Sequence, residues 1–91
     1  MSRYLAIDDL VRLLGRDERL ILELVEKEWL VPCEREPLSF DEEDAARARL
    51  ICEMRELMGV NDESVPIILH LLDQIHRLRA ELALTRLRRE R

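Results

Sequence analysis

The sequence contains few aromatic, glycine and proline residues. Tyr4, Trp29 and Phe40 are its only aromatic residues, and 2 glycines and 3 prolines supply its sharp turns. An all-β domain needs more turn residues than this, and an aliphatic core is typical of packed helices. The chain also lacks a run of about 18 apolar residues, which a membrane-spanning helix requires. These absences predict a mostly α-helical, soluble protein.

Cysteine is scarce as well. Cys33 and Cys52 stand alone, without a Cys-x-x-Cys spacing. Together with the lack of a secretory signal, this pattern predicts a cytoplasmic protein with both thiols reduced. We interpret both cysteines as buried, small apolar residues rather than as a redox or metal-sensing pair.

The residue combinations typical of catalytic, phosphate-binding and metal-binding sites are also missing. No hydroxyl residue has a histidine in a plausible cleft, and no glycine-rich loop is available to hold a phosphate. His70, Asp73 and His76 are spaced three apart, but the two histidines point in different directions on a helix. The sequence therefore predicts no enzymatic activity, no cofactor and no metal site.

The first quarter of the chain has the pattern of a helix-turn-helix. Apolar residues in helical spacing predict two short helices: Ile7, Leu10, Val11 and Leu14 in the first, and Leu20, Ile21, Leu24 and Val25 in the second. Gly15 is suited to end the first helix, and Asp17 is suited to cap the second.

The next segment predicts a wing and a third helix. Pro32 blocks further helix, and residues 33–40, with Pro37 at the turn, predict a small β-hairpin. Asp41 is a good N-cap for a third helix that Gly59 closes. We expect its buried stripe to consist of Leu50, Ile51, Met54, Leu57 and Met58.

The last third predicts one long helix, which begins near either Asn61 or Ser64. Apolar residues in alternating steps of three and four form a seam along it: Ile68, Leu71, Ile75, Leu78 and Leu82. This heptad-like period favours homodimerisation through a coiled coil, although the upper part of the seam could also pack on the other helices. We therefore predict a body, residues 1–60, and a dimerisation helix with a basic tail, residues 61–91.

Positive and negative charges are distributed unevenly along the chain. Residues 1–76 carry 9 cations against 18 carboxylates, and residues 77–91 carry 6 arginines against 2 glutamates. Such an acidic body repels phosphates and attracts basic proteins. We predict an acidic partner-binding face formed by Glu23, Glu26, Glu28, Glu34 and Glu36. A merely solvated surface is the alternative for this face. The basic tail could contact nucleic acid or an acidic protein, but we interpret it as a solvated helix end.

This order of elements resembles the MerR family of winged helix-turn-helix proteins. The shared landmarks are Ala6-Ile7-Asp8-Asp9-Leu10, Leu30-Val31-Pro32, Phe40-Asp41-Glu42-Glu43-Asp44, and Arg55-Glu56-Leu57-Met58-Gly59. The segment from Gly59 to Ile75 and the short length are most similar to the CbpM chaperone-modulator branch. That resemblance implies binding to the J-domain of a DnaJ-like or CbpA-like co-chaperone, which would block its partnership with a DnaK-type chaperone.

Two departures from the family concern DNA binding. DNA-binding relatives have an Arg-Tyr-Tyr triplet in the second helix and a Gly-Tyr-Arg triplet in the wing, where this chain has Arg19-Leu20-Ile21 and Glu34-Arg35-Glu36. Glutamates stand where phosphate contacts need cations. DNA binding is therefore doubtful, and a small DNA-binding regulator is the alternative function.

Overall fold

A computed structural model of the chain describes residues 4–90 and divides into two compact units, Met1–Val60 and Asn61–Arg91. The first unit contains β1 (Leu5–Ala6), α1 (Ile7–Leu14), α2 (Glu18–Glu26), β2 (Glu34–Arg35), β3 (Leu38–Phe40) and α3 (Glu42–Glu56), and the second contains α4 (Val65–Arg89). The predicted mostly α-helical class is confirmed. None of the helices within residues 4–90 has the length and apolar character that a membrane crossing requires.

Local chemistry sets the ends of the first two helices as predicted. Gly15 takes the left-handed conformation, with φ 66°, and its N–H donates to the Val11 carbonyl. The Asp17 side chain accepts a hydrogen bond of 3.1 Å from the Leu20 N–H and so caps α2. The turn between the two helices is therefore only three residues long, which is the geometry of a helix-turn-helix.

The wing is present, and it belongs to a larger sheet than the sequence predicts. β2 and β3 pair antiparallel as a hairpin, and β1 pairs antiparallel with the other edge of β3, giving the order β1-β3-β2. Leu5 stands opposite Phe40 in the β1–β3 register. Phe40 is fully buried, so the sheet joins the base of the wing to the core of the body.

The core of the body differs from the predicted stripe of α3. Ile51 and Met54 are buried as expected, but Leu57 and Met58 are 79% and 61% exposed, and Leu50 is half-buried. Small residues of α3 take their place in the core, namely Ala45, Ala48 and Cys52. The predicted stripe was wrong at its end because α3 stops at Glu56, so Leu57 and Met58 lie outside the helix.

The segment after α3 follows the expected chemistry. Gly59 has a left-handed φ of 66°, and the Val60 N–H donates to the Met54 carbonyl at 2.8 Å. This bond reaches back six residues past a left-handed glycine, a conformation that commonly ends helices. Gly59 therefore closes α3, as predicted.

α4 begins at Val65, and the two candidate caps have separate roles. Ser64 takes the N-cap position without a side-chain hydrogen bond, whereas the Asn61 Oδ1 accepts from the Ser64 N–H at 2.9 Å and closes the preceding turn. Pro66 lies in the first helical turn, where its missing N–H costs little. With 25 residues, α4 is roughly 37 Å long.

Glu28 is the one non-glycine residue with positive φ among residues 4–90, at 62°. It follows α2, and the Trp29 N–H donates to the Leu24 carbonyl at 3.0 Å, so Glu28 takes the left-handed helix-end position that glycine favours. A left-handed L-residue costs about 1–2 kcal/mol. The backbone of Glu28 is therefore strained, and its side chain carries a negative charge.

We expect Glu28→Gly to raise the free energy of unfolding by about 1 kcal/mol, because the strain is removed. Urea unfolding followed by circular dichroism measures this. Glu26→Gly is the matched control, since it removes the same charge inside α2 and should lower stability by about 0.5–1 kcal/mol. Equal effects of the two substitutions would contradict the assignment of strain to Glu28.

Candidate functional site

Three elements of the body meet around the start of α3. The Arg47 Nε donates to the Trp29 carbonyl at 2.8 Å, which joins α3 to the segment after α2. The Cys33 Sγ lies 3.7 Å from an Asp44 carboxylate oxygen, and the Cys33 N–H donates to the Ser39 carbonyl at 2.8 Å, which joins the wing to α3. The end of α2, the wing and the first turn of α3 therefore belong to one region.

This region carries a set of exposed carboxylates, which we call the acidic surface. Its members are Glu26, Glu28, Glu34, Glu36, Glu42 and Glu43, and all six are exposed. Within residues 4–90, none of these side chains forms an ion pair. Their charges are therefore open to a partner.

The net charge of the body is concentrated in the same region. Residues 26–44 carry eight carboxylates and two cations, which gives −6. The rest of residues 1–60 carries seven carboxylates and seven cations, which gives zero. A charge localised in this way can orient an approaching partner, whereas one spread evenly over the body could not.

Glu23 lies outside the acidic surface, although the predicted face includes it. Its carboxylate is 2.8 Å from the Arg55 Nη2 and 4.0 Å from the Lys27 Nζ, and it is only partly exposed. The charge of Glu23 is therefore compensated inside the body. The other four residues of the predicted face, Glu26, Glu28, Glu34 and Glu36, lie within the acidic surface.

Trp29 lies beside the same cations. The Arg55 guanidinium is 5.0 Å and the Lys27 ammonium 5.2 Å from the centre of its ring, and the side chain is 8% exposed. Cations at this distance from an indole are attracted to it. Glu23, Lys27, Arg55 and Trp29 thus form a mixed charged and aromatic cluster that fixes the end of α2 against α3.

Glu42 and Glu43 belong to the acidic surface, but the face predicted from the sequence does not include them. In the sequence they only complement the dipole of the helix that they begin, since they sit in the first turn of α3. Their nearness to the wing depends on the contact between Cys33 and Asp44, which the local pattern does not reveal. Cys33 and Asp44 are 11 residues apart in the chain, so the sequence carried no local signal of this contact.

Asp41 and Asp44 have a structural role at this point. The Asp44 N–H donates to the Asp41 carboxylate at 2.8 Å, and the Asp41 N–H donates to the Asp44 carboxylate at 3.0 Å. The first of these bonds lowers the pKa of Asp41, while partial burial raises the pKa of Asp44. The reciprocal pair is a capping box that begins α3.

Cys33 is exposed, so the prediction that both cysteines are buried was wrong for this residue and is confirmed for Cys52. Desolvation and the charges of Asp41 and Asp44 raise the pKa of the Cys33 thiol. The thiolate is therefore disfavoured at neutral pH, and Cys33 is a weak nucleophile. Donor atoms of Cys33, Asp41 and Asp44 lie within 4.8 Å of one another, but both carboxylates are already engaged in the capping box.

The predicted dimer seam lies open on α4. Leu71, Ile75, Leu78 and Leu82 are exposed, and Ile68 is half-buried. Val65 and Leu69, at the start of the helix, are buried. Every residue from Ile75 to Glu90 is exposed, including the arginines of the basic tail within that range.

Comparison with known proteins gives a family match. The model of a family described as MerR HTH family regulatory protein matches residues 5–89, and so covers all seven helices and strands. None of the curated proteins matches the chain.

Proposed function

The chain belongs to the MerR helix-turn-helix family of regulatory proteins, and on that premise we propose that it is a non-enzymatic chaperone modulator. It binds the J-domain of a DnaJ-like or CbpA-like co-chaperone and thereby blocks the interaction of that protein with the DnaK-type chaperone. It does so by occupying the surface of the J-domain, without chemistry and without a cofactor. This assigns the chain to the CbpM-like branch.

The observation that carries this proposal is the acidic surface on a helix-turn-helix body. The exposed residues of α2 are Glu18, Arg19, Leu22 and Glu26, so a single cation is available on the helix that DNA-binding relatives use for reading bases. The wing adds Glu34 and Glu36, both exposed. DNA backbone contacts need cations at these places, whereas a basic protein helix, such as the one a J-domain presents, needs carboxylates.

Homodimerisation through α4 is part of the proposal. The exposed residues Leu71, Ile75, Leu78 and Leu82 recur at the coiled-coil period. A helix with such a seam is stabilised when a second copy covers it. The dimer would thus carry two acidic surfaces.

A titration tests the proposal directly. We expect the full-length protein to bind the purified J-domain with a Kd on the order of micromolar or tighter, and to reduce the stimulation of the DnaK-type ATPase by the co-chaperone. Isothermal calorimetry and an ATPase assay measure the two effects. Undetectable binding at a high J-domain concentration would refute the proposal.

The rival function is a small DNA-binding transcriptional regulator, which the family description favours. It predicts tight, sequence-specific binding to the DNA upstream of its own gene at physiological salt. A gel shift with that DNA, beside a scrambled sequence of equal length, separates the two functions. Specific binding to DNA together with no binding to the J-domain would establish the rival.

A further inference from the structure

The distal half of α4 has a second apolar line besides the seam. At about 100° per residue, Leu84 and Leu87 lie about 120–180° round the helix from Leu78 and Leu82. Leu84 is 50% and Leu87 61% exposed. A two-stranded seam covers one side of a helix, so a dimer held only by the seam would leave this second line in water.

Cations lie along one side of the second line. Arg77 and Arg88 fall within about 40° of Leu84 round the helix, whereas Arg86 lies within about 40° of the seam residue Leu82. All of these side chains are exposed. The line therefore has the character of a surface that docks on an acidic, partly apolar site.

The acidic surface has this complementary character. It carries the −6 of residues 26–44, and exposed apolar side chains adjoin it: Val31, 61% exposed, between Glu28 and Glu34 in the chain, and Leu22, one helical turn before Glu26. Residues 77–91 supply +4. A basic helix with leucines fits a carboxylate-rich surface with exposed aliphatic residues.

We infer that the arginine-rich half of α4, residues 77–89, docks on the acidic surface of a second copy of this chain. In a dimer already joined by the seam, this second contact is intramolecular and benefits from a high effective concentration. The tail then occupies the site that the basic partner needs, and so competes with that partner. The competition rests on the proposed function, whereas the docking does not.

Cross-linking of the full-length protein tests the docking. Lys27 is the only lysine of the chain, so Arg88→Lys places a single reactive amine in the tail while keeping its charge. Equal amounts of ¹⁵N-labelled and unlabelled variant are mixed and treated with a carbodiimide, which joins amines to carboxylates in contact. We expect mixed-label peptides that connect the amine introduced at position 88 with residues 26–44, and their loss at high salt.

Arg12→Lys is the matched control, because Arg12 is 76% exposed on α1 and lies outside both surfaces. Its amine should give mixed-label products with residues 26–44 only at the background of random collision. The inference would be overturned if the Arg88→Lys variant gave only cross-links within one label. It would also be overturned if its yield of mixed-label cross-links did not exceed that of the Arg12→Lys control.

Affinity for the J-domain tests the competition. Arg77→Gln with Arg88→Gln weakens the docked tail, so the J-domain should bind this variant more tightly, by up to about tenfold if nine tenths of the acidic surfaces are occupied in the wild type. Equal affinities would overturn the competition. If neither the wild type nor the variant binds the J-domain, the proposed function fails. The cross-linking result then tests the docking of the tail by itself.

Discussion

Ile75→Asp with Leu78→Asp is expected to convert the proposed dimer into a monomer. Both side chains lie in the open seam of α4, at 43% and 56% exposure, and each buried apolar side chain contributes about 1.5–3 kcal/mol. Four such side chains are lost per dimer and each is about half exposed beforehand, which amounts to about 3 kcal/mol or more and about two decades in Kd. Sedimentation velocity over a concentration series measures the change.

The control variant has the same change in net charge as the seam variant, but its substitutions lie outside the seam. His70→Asp with His76→Asp also lowers the net charge by two units, at exposed positions on a different side of α4. This variant should sediment as the wild type does. A seam variant that remains a dimer would remove homodimerisation through these residues from the proposal.

Glu26→Lys with Glu34→Lys is expected to weaken J-domain binding by about tenfold or more at low salt. The two substitutions change the charge of the acidic surface by four units and set like charges against a basic helix, which costs association rate and affinity. The loss should shrink at high salt, because exposed charges are screened within about 8–10 Å. Calorimetry at two salt concentrations measures both effects.

The same variant has the opposite effect on nucleic acid. Two added cations and two lost carboxylates on the helix-turn-helix and the wing should strengthen non-specific DNA binding. J-domain affinity should therefore fall while DNA affinity rises. If the variant binds the J-domain with the affinity and the salt dependence of the wild type, the acidic surface is only a solvated face.

Asp8→Lys with Glu18→Lys is the matched control for this prediction. It makes the same change in net charge at exposed carboxylates of the body that lie outside residues 26–44. The J-domain affinity of this control should stay close to that of the wild type. An equal loss of J-domain affinity in both variants would mean that the net charge of the body, rather than the acidic surface, governs association with the J-domain.

Features that depend on neighbouring residues were predictable from the sequence. Asp17 and Asp41 cap their helices, and Gly15 and Gly59 take left-handed helix-end conformations. Each of these outcomes follows from chemistry within about four residues. The helix-turn-helix, the wing and α3 follow from them in turn, as does the family that their order resembles.

Features that depend on distant residues were not predictable. β1 consists of only Leu5 and Ala6, too short to show an alternating pattern, and it exists because it pairs with β3 more than 30 residues later. Glu23 was placed on the open face because its partner, Arg55, is 32 residues away. The sequence therefore could not separate Glu23, which is paired inside the body, from the exposed carboxylates Glu26, Glu28, Glu34 and Glu36.

Trp29 gives the molecule an optical label. It is the only tryptophan, it is buried in the body between Lys27 and Arg55, and its emission therefore reports on the first unit. Far-ultraviolet circular dichroism reports on all the helices, and the 25 residues of α4 contribute much of that signal. Coincident unfolding curves from the two signals would mark one cooperative transition, and separated curves would mark a body and a long helix that melt apart.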